Sequence, residues 1–208
     1  MKKHLLLIGF SCTGKTSLAR RAFERAEIVD SDDEICKGIG KQNRRKFSHI
    51  FEIYMALGRQ AANNLIERSE ESLIVDWAAD TSYRVISLGP GFPLRRNWQS
   101  LRKVSCVILY HRSAEGIYTS LVERRKQVFE ECPKAKEHDN WDVGVIVDER
   151  RQEYTRETAV ANIERILCER ERFYSDCDER LCTDDREAAT KALLAIKVKL
   201  DGNVTRRL

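Results

Sequence analysis

A short apolar run that leads directly into a glycine-rich loop places the strongest constraint on how this chain folds. Leu5–Ile8 are apolar, the loop Gly9-Phe-Ser-Cys-Thr-Gly14-Lys15-Thr16 follows, and a helical pattern begins near Thr16. This order predicts a buried strand, a tight loop and a helix at the start of the chain. The loop glycines let the backbone curl until consecutive N–H groups point inward, which forms a phosphate-binding concavity at a helix N-terminus.

The loop has the P-loop spacing G-x-x-x-x-G-K-[ST], which gives individual side chains a chemical task. Lys15 is placed to reach the β- and γ-phosphates, and the Thr16 hydroxyl is placed to ligate Mg²⁺. A chance glycine-rich turn is the alternative, and the strand, loop and helix in order disfavour it. We therefore predict a site for ATP and Mg²⁺ whose contact residues are Gly9, Ser11, Cys12, Thr13, Gly14, Lys15, Thr16 and Ser17.

Composition limits the classes of partner. The 208 residues, of which 42% are hydrophobic and 34% charged, fit a single domain over 1–208. The net charge is only +4, with cations scattered among acids, so we expect a small anionic substrate, no nucleic acid, and a monomer or weak dimer. No apolar run approaches the roughly 18 residues of a membrane span. Seven cysteines without a C-x-x-C pair predict free thiols and a cytoplasmic location.

Apolar runs alternate with helical segments along the chain, which favours βαβ units around a parallel sheet. Leu73-Ile74-Val75 reads either as a strand or as the end of a helix. The stretch from about 130 to 156, with Pro133 and Trp141, predicts a mobile lid. The remaining segments predict strands near 4–9, 28–29, 85–88, 104–110 and 180–182, and helices within 33–70, 94–103, 114–128, 156–175 and 185–199.

Two carboxylates follow the second predicted strand. Asp30 and Asp32 end that strand, which we expect to lie beside the first, and the carboxyl ends of parallel strands converge on one crevice. If the backbone stays extended, this spacing points both side chains to the same side. Two interpretations stay open here: the carboxylates serve Mg²⁺ and an acceptor hydroxyl, or one of them caps the helix that begins at Asp33-Glu34-Ile35.

The ordered set of motifs resembles the shikimate kinase family. The matching segments are Gly9–Thr16, Asp30-Ser-Asp32, Gly58-Arg59-Gln-Ala-Ala62, Val85–Gly91, Cys106–Ser113 and Cys168–Tyr174. The resemblance implies a three-layer α/β/α P-loop kinase fold, with a central parallel sheet of about five strands and a mobile lid. It also implies an ATP-dependent kinase that phosphorylates a hydroxyl of a carboxylate-bearing acceptor such as shikimate.

The resemblance implies a role for each matching residue. Lys15 and Asp32 would be catalytic, with Asp32 at the acceptor hydroxyl, and Asp30 would join Thr16 at Mg²⁺. The substrate would meet Asp32, the backbone N–H groups of Gly89 and Gly91, and a carboxylate clamp formed by Arg59 and Arg170. The lid arginine would be Arg151 by its spacing from Arg170, although Arg150 and Arg156 have similar claims.

The chain departs from the family pattern mainly in the acceptor half. Ala62 stands where the family has a glutamate, Pro90 replaces a glycine, and the Arg170 motif lacks its proline. From local sequence alone, Arg59 also reads as a solvated helix position and Arg170 as a member of an i,i+4 pair. Two alternatives therefore stay open: a kinase for a different small metabolite or nucleotide, and a non-catalytic ATP-binding protein that has kept the kinase fold.

Overall fold

The computed structural model describes residues 4–23, 28–82, 84–131, 145–148, 150 and 152–205, with backbone alone over 200–205. Pro133, Trp141 and Arg151 lie outside the described residues, and so does most of the predicted lid. Within the part of the lid that is described, Val147 forms an isolated antiparallel bridge with Glu153.

A five-stranded sheet forms the centre of the molecule, and its strand order is β2-β3-β1-β4-β5. Every neighbouring pair of strands is parallel. This confirms the predicted fold class, a parallel sheet of five strands flanked by helices. The strands are β1 (His4–Gly9), β2 (Ile28–Asp30), β3 (Arg84–Ser87), β4 (Ser105–His111) and β5 (Glu179–Cys182).

Helices cover both faces of the sheet. A 3-10 turn over Phe92–Leu94 precedes the fifth helix. None of the helices within the described ranges is long and apolar enough to cross a membrane. The helices are α1 (Lys15–Ala22), α2 (Ser31–Gln42), α3 (Ile50–Leu57), α4 (Arg59–Ala79), α5 (Trp98–Lys103), α6 (Ala114–Glu131), α7 (Arg156–Tyr174) and α8 (Arg186–Thr205).

The middle strand is buried on both of its faces, which explains its continuous apolar sequence. Leu6 and Ile8 pack into the core beneath α2, α3 and α4. Leu5 and Leu7 point the other way, into the core beneath α1 and α8. All four side chains are fully buried. The strand thus fixes the loop that follows it at the centre of the carboxyl edge of the sheet.

The second strand lies at the edge of the sheet and not beside the first, so that expectation is wrong. The third strand separates them, because Val85 pairs with Leu5 on one side and with Ile28 on the other. Burial gives the physical reason. Val85 and Ile86 are fully buried and need a neighbour on each side, whereas the residues of β2 are only half-buried and suit an edge.

Leu73-Ile74-Val75 belongs to a helix, which resolves the open alternative. α4 continues to Ala79, and its buried face carries Ala62, Glu70, Ile74 and Trp77 at helical spacing. Ile74 is fully buried and the next residue, Val75, is 51% exposed, so the two side chains lie on different faces of the helix.

The next predicted helix, over 94–103, begins later than expected. Residues 92–94 form the 3-10 turn with Pro93 in its first turn, and the α-helix begins at Trp98.

We expect Ile74→Ala to lower the free energy of unfolding by about 2–5 kcal/mol, because it removes a fully buried side chain and leaves a cavity. The matched control Val75→Ala should leave stability unchanged or raise it by a few tenths of a kcal/mol, since alanine is the better helix former at an exposed helical position. Urea denaturation of both variants measures the difference. Equal losses at the two positions would contradict the helical assignment.

Candidate active site

The glycine-rich loop is held in a conformation that excludes most side chains. Gly9 has φ +143° and Gly14 has φ +86°. A Cβ on Gly9 would lie 2.2 Å from the carbonyl oxygen of Tyr110, so the loop can pack against β4 only with glycine at this position. Cys12 also takes a left-handed conformation, with φ +61°, which costs a non-glycine residue about 1–2 kcal/mol. The curled backbone that phosphate binding requires is therefore built in.

The ammonium group of Lys15 lies against this loop. Its Nζ donates to the carbonyl oxygens of Gly9 at 3.0 Å and Phe10 at 2.8 Å. Burial lowers the pKa of Lys15 to about 8, against the opposing negative charges of Asp32 and Asp30. A phosphate group at the loop would therefore stabilise the charged form of this lysine.

Three oxygen-bearing side chains from different elements meet beside the loop. Thr16 Oγ1 donates to Asp30 Oδ2 at 2.7 Å and lies 2.7 Å from Ser87 Oγ. Hydroxyl and carboxylate oxygens are the ligands that Mg²⁺ prefers. The described residues contain no cluster of three or more His, Cys, Asp or Glu that could enclose a metal. Mg²⁺ usually binds through one or two carboxylates together with substrate phosphates, and Asp30 supplies one carboxylate beside the Thr16 hydroxyl. The residues present therefore fit this ion.

Ser87 was not among the residues predicted from sequence. In the sequence, Ser87 is a single polar residue at the end of the apolar strand β3. Polar residues also alternate with apolar ones in strands that have no functional role, so the strand pattern alone does not mark Ser87 as a site residue.

Asp30 caps α2 and also faces the glycine-rich loop. Its Oδ1 accepts a hydrogen bond of 3.0 Å from the Asp32 N–H and so caps α2, while its Oδ2 accepts from Thr16. The chain enters α2 at Ser31, so the backbone does not stay extended between the two aspartates. The condition for the predicted extended Asp-x-Asp is therefore not met, and Asp32 reaches the crevice from the first turn of a helix. Both carboxylates nevertheless lie close enough to Lys15 for their charges to raise its pKa, against the larger effect of burial.

Asp32 is the most strongly perturbed carboxylate of this crevice. Burial and the negative charge of Asp30 raise its pKa from 3.8 to about 6, although the positive charges of Lys15 and Arg124 oppose the rise. Its Oδ1 is 3.2 Å from the place that a Cβ on Gly89 would occupy. A carboxylate with this pKa at the edge of a crevice is suited to accept a proton from a hydroxyl.

The Gly89-Pro90-Gly91 turn forms the next wall. The Gly89 N–H donates to Ser31 Oγ at 2.8 Å, so it already has a partner within the protein, and Gly91 remains the predicted donor to a substrate. The Tyr174 hydroxyl donates to the carbonyl of Pro90 at 3.1 Å. The turn is thus tied to α2 on one side and to α7 on the other.

Glu70 is a buried carboxylate in this wall that sequence reasoning missed. It is 5% exposed, and both of its oxygens lie 2.9 Å from the place that a Cβ on Gly91 would occupy. Arg95 donates from Nε to Glu70 and from Nη1 to Glu67 at 2.9 Å. Burial raises the pKa of Glu70, and Arg95 opposes the rise. The signal in the sequence was a charged residue on the otherwise apolar face of α4.

The two predicted carboxylate-binding arginines lie in different surroundings. Arg59 is exposed at the start of α4. Burial and the charge of Glu70 raise the pKa of Tyr54, and the positive charge of Arg59 opposes the rise. Arg170 lies over the ring of Phe10, with 5.3 Å from its Cζ to the ring centroid, and its Nη1 is buried without a hydrogen-bond partner among the described residues. No described contact joins the two arginines, so one ligand would have to bridge them.

Arg124 on α6 is a third residue that was not predicted from sequence. Burial lowers the pKa of Lys15, and the positive charge of Arg124 adds to that effect. Burial raises the pKa of Asp32, and the same charge opposes the rise. Nothing in the local sequence separates this arginine from its neighbour Arg125.

Comparisons with known proteins show that the chain is similar to shikimate kinases. No protein-family model matches the chain. A shikimate kinase of Pelotomaculum thermopropionicum is 35% identical over 126 residues, which are 60% of this chain and 66% of that relative. One of Caldicellulosiruptor bescii is 25% identical over 93% of this chain and 95% of that relative. A shikimate kinase of Acinetobacter baumannii, solved in complex with shikimate, shares the fold with TM-score 0.64 and 16% identity, over 97% of this chain and 94% of that one.

We expect Asp32→Asn to raise the melting temperature at pH 7 by a few degrees, because the fold disfavours the ionised carboxylate. A raised pKa means that stability falls as pH rises from about 4 to about 6, so the gain of the variant should vanish below pH 4. Thermal melts across pH measure this. The exposed neighbour Asp33 supplies the control, since Asp33→Asn should lower stability slightly by weakening the charge at the start of α2. A gain for Asp32→Asn that persists at pH 3 would contradict the account.

Proposed function

We propose that this chain, as a divergent member of the shikimate kinase family, transfers the γ-phosphate of ATP to a hydroxyl of a small carboxylate-bearing acceptor such as shikimate. One observation carries the proposal. The phosphate loop with Lys15, the Thr16–Asp30 pair and the perturbed carboxylate Asp32 all meet at one edge of the sheet. Phosphoryl transfer needs a phosphate-binding loop, a magnesium site and a group that orients or deprotonates the acceptor hydroxyl, all close together.

The donor half consists of the loop and its neighbours. The backbone N–H groups of Gly9–Thr16 would surround the β- and γ-phosphates, and Lys15 would turn from the carbonyls of Gly9 and Phe10 towards them. Thr16 and Asp30, with Ser87 behind them, would hold Mg²⁺, which neutralises phosphate charge when it is bound.

The acceptor half begins at Asp32. The acceptor hydroxyl would donate to this carboxylate, which orients it for in-line attack and takes its proton as the new oxygen–phosphorus bond forms. The pKa of about 6 makes the carboxylate mostly ionised at neutral pH and still basic enough to accept that proton. Lys15 and Arg124 supply positive charge to the transferring phosphoryl group. Arg151 stays a prediction for the same task.

The far end of the acceptor would lie between Gly91 and the arginines. Arg59 and Arg170 are proposed to bind its carboxylate, for which a guanidinium offers paired, charge-assisted hydrogen bonds. The buried Nη1 of Arg170, which has no hydrogen-bond partner among the described residues, supports this role. Glu70 and Arg95 line the same wall beside Gly91 and would shape the pocket.

A second candidate is a kinase for a different small metabolite. The Glu70–Arg95 pair favours it, because the chain places this charged pair beside Gly91 and has Ala62, a fully buried residue of the apolar core, where the family has a glutamate. ADP release measured over hydroxy acids, sugars and nucleoside monophosphates separates the candidates. Activity with shikimate alone would exclude the second, and activity with another acceptor alone would exclude the first.

We expect shikimate to stimulate ADP release above the rate with ATP alone in a coupled assay, since the acceptor hydroxyl replaces water as the nucleophile. Lys15→Ala should lower kcat by about a hundredfold or more, because it removes positive charge from the transition state. The control is Lys191→Ala on α8, whose exposed side chain pairs only with Glu187 among the described residues. If no acceptor stimulates ADP release, the result would contradict the proposal and favour a nucleotide-binding protein without transferase activity.

Glu70→Gln should raise the KM for the acceptor by about tenfold and leave the KM for ATP unchanged, since the lost charge releases Arg95 in the acceptor wall. Glu67→Gln is the matched control, because Glu67 binds the same arginine but is 55% exposed, and both KM values should stay within about twofold. Steady-state kinetics with each substrate varied in turn measures the split. A rise in the KM for ATP alone would place Glu70 in the donor half.

A further inference from the structure

A second concave site lies on α2 and is lined by residues outside the phosphate loop. The cavity has a volume of about 480 Å³ and is lined only by residues between 33 and 48. None of its lining residues belongs to the P-loop, to Gly89–Gly91 or to α7. We call it the α2 cleft. Its volume falls within the range of about 300–1,000 Å³ that is typical of small-ligand sites.

The floor of the α2 cleft is apolar and closely packed. Cys36 and Phe47 are 3% and 5% exposed and belong to the main core. Gly40 lies between them, and a Cβ there would be 2.5 Å from the carbonyl oxygen of Arg45. The chain after α2 can therefore fold back over the helix only because this position is glycine. The floor is thus a fixed surface and not a gap between mobile side chains.

After α2 the chain turns back and brings a basic segment to the rim of the α2 cleft. Asn43 Nδ2 donates to the carbonyl of Ile39 at 2.9 Å, Arg44 turns through a left-handed conformation with φ +51°, and the Arg45 N–H donates to Gly40 at 3.0 Å. This turn places Arg45 and Lys46 opposite the cations of α2. Arg45 lies over the ring of Phe47, with 5.3 Å from Cζ to the ring centroid.

Charge at the rim is strongly one-sided. Lys37, Lys41, Arg45 and Lys46 line the cleft, and among the described residues Asp33 is the only acid that does. Lys37 is bound to Glu34 at 2.7 Å. Among the residues that the structure describes, no carboxylate forms an ion pair with Lys41, Arg45 or Lys46. The carboxylate of Glu52 lies beside the cleft and accepts from the Ser48 N–H at 2.7 Å. The end of the cleft nearest the turn is therefore a concave surface with three cations that have no ion-pair partner among the described residues.

We propose that the α2 cleft binds a small organic phosphate. Lysines around an opening attract a multiply charged anion, and the planar guanidinium of Arg45 offers a paired contact to phosphate oxygens. The apolar floor at Cys36 and Phe47 suits the carbon part of such a ligand. This site is separate from the proposed catalytic function, because it uses none of the residues assigned to ATP or to the acceptor.

Isothermal titration of inorganic pyrophosphate into the Lys15→Ala variant tests the site without a contribution from Lys15 in the P-loop. We expect saturable binding that is weakened by about tenfold or more in the added double substitution Lys41→Gln/Arg45→Gln, since each lost charged contact costs more than a neutral hydrogen bond. The matched control is Arg165→Gln/Lys191→Gln, which removes two exposed cations from α7 and α8 and should leave the affinity within about twofold.

A second variant and a second probe keep the test decisive. Lys46→Gln alone, at an exposed position, should weaken pyrophosphate by about threefold without change in the melting temperature. Binding that is absent, or unchanged in all cleft variants, overturns the proposal. A single-stranded oligonucleotide that binds more tightly than pyrophosphate, and is lost in the same variants, overturns it in favour of a nucleic-acid surface.

Discussion

The close approach of Gly9 to β4 is the constraint on which the rest of the site depends. The glycine backbone lies so near the Tyr110 carbonyl that a Cβ would be 2.2 Å from that oxygen. This contact sets where the loop leaves the sheet, and the loop in turn sets where Lys15 and Thr16 stand. Thr16 then meets Asp30 and Ser87, which arrive from the ends of two other strands. The site is therefore positioned by a rigid sheet and not by loops alone.

Buried charge is concentrated at this edge of the molecule. Lys15, Asp32 and Glu70 are largely withdrawn from water, and burial is the largest cause of the pKa shift of each one. An isolated buried charge destabilises a fold, and paired charges offset part of that cost. Perturbed groups of both signs in one crevice are typical of catalytic sites. The same residues that lower stability here are those to which the chemistry is assigned.

Sequence was most informative where one local pattern determines the backbone. The P-loop spacing predicted the strand, loop and helix around Lys15, and the buried runs predicted the strands of the parallel sheet. The position of β2 at the edge could not be read from Ile28–Asp30, because pairing order depends on burial across the whole sheet. Glu70 and Arg95 come from distant segments, and only the packing of α4 against the Gly89–Gly91 turn brings them together.

The central claim is that the donor and acceptor halves act together in phosphoryl transfer. Phosphorus NMR of ATP and Mg²⁺ with the protein and shikimate tests this directly, because it separates transfer from hydrolysis. The account predicts that a phosphomonoester signal grows as the γ-phosphate signal of ATP declines, with little inorganic phosphate. Loss of the γ-phosphate signal to inorganic phosphate alone, or no change in ATP, would contradict it.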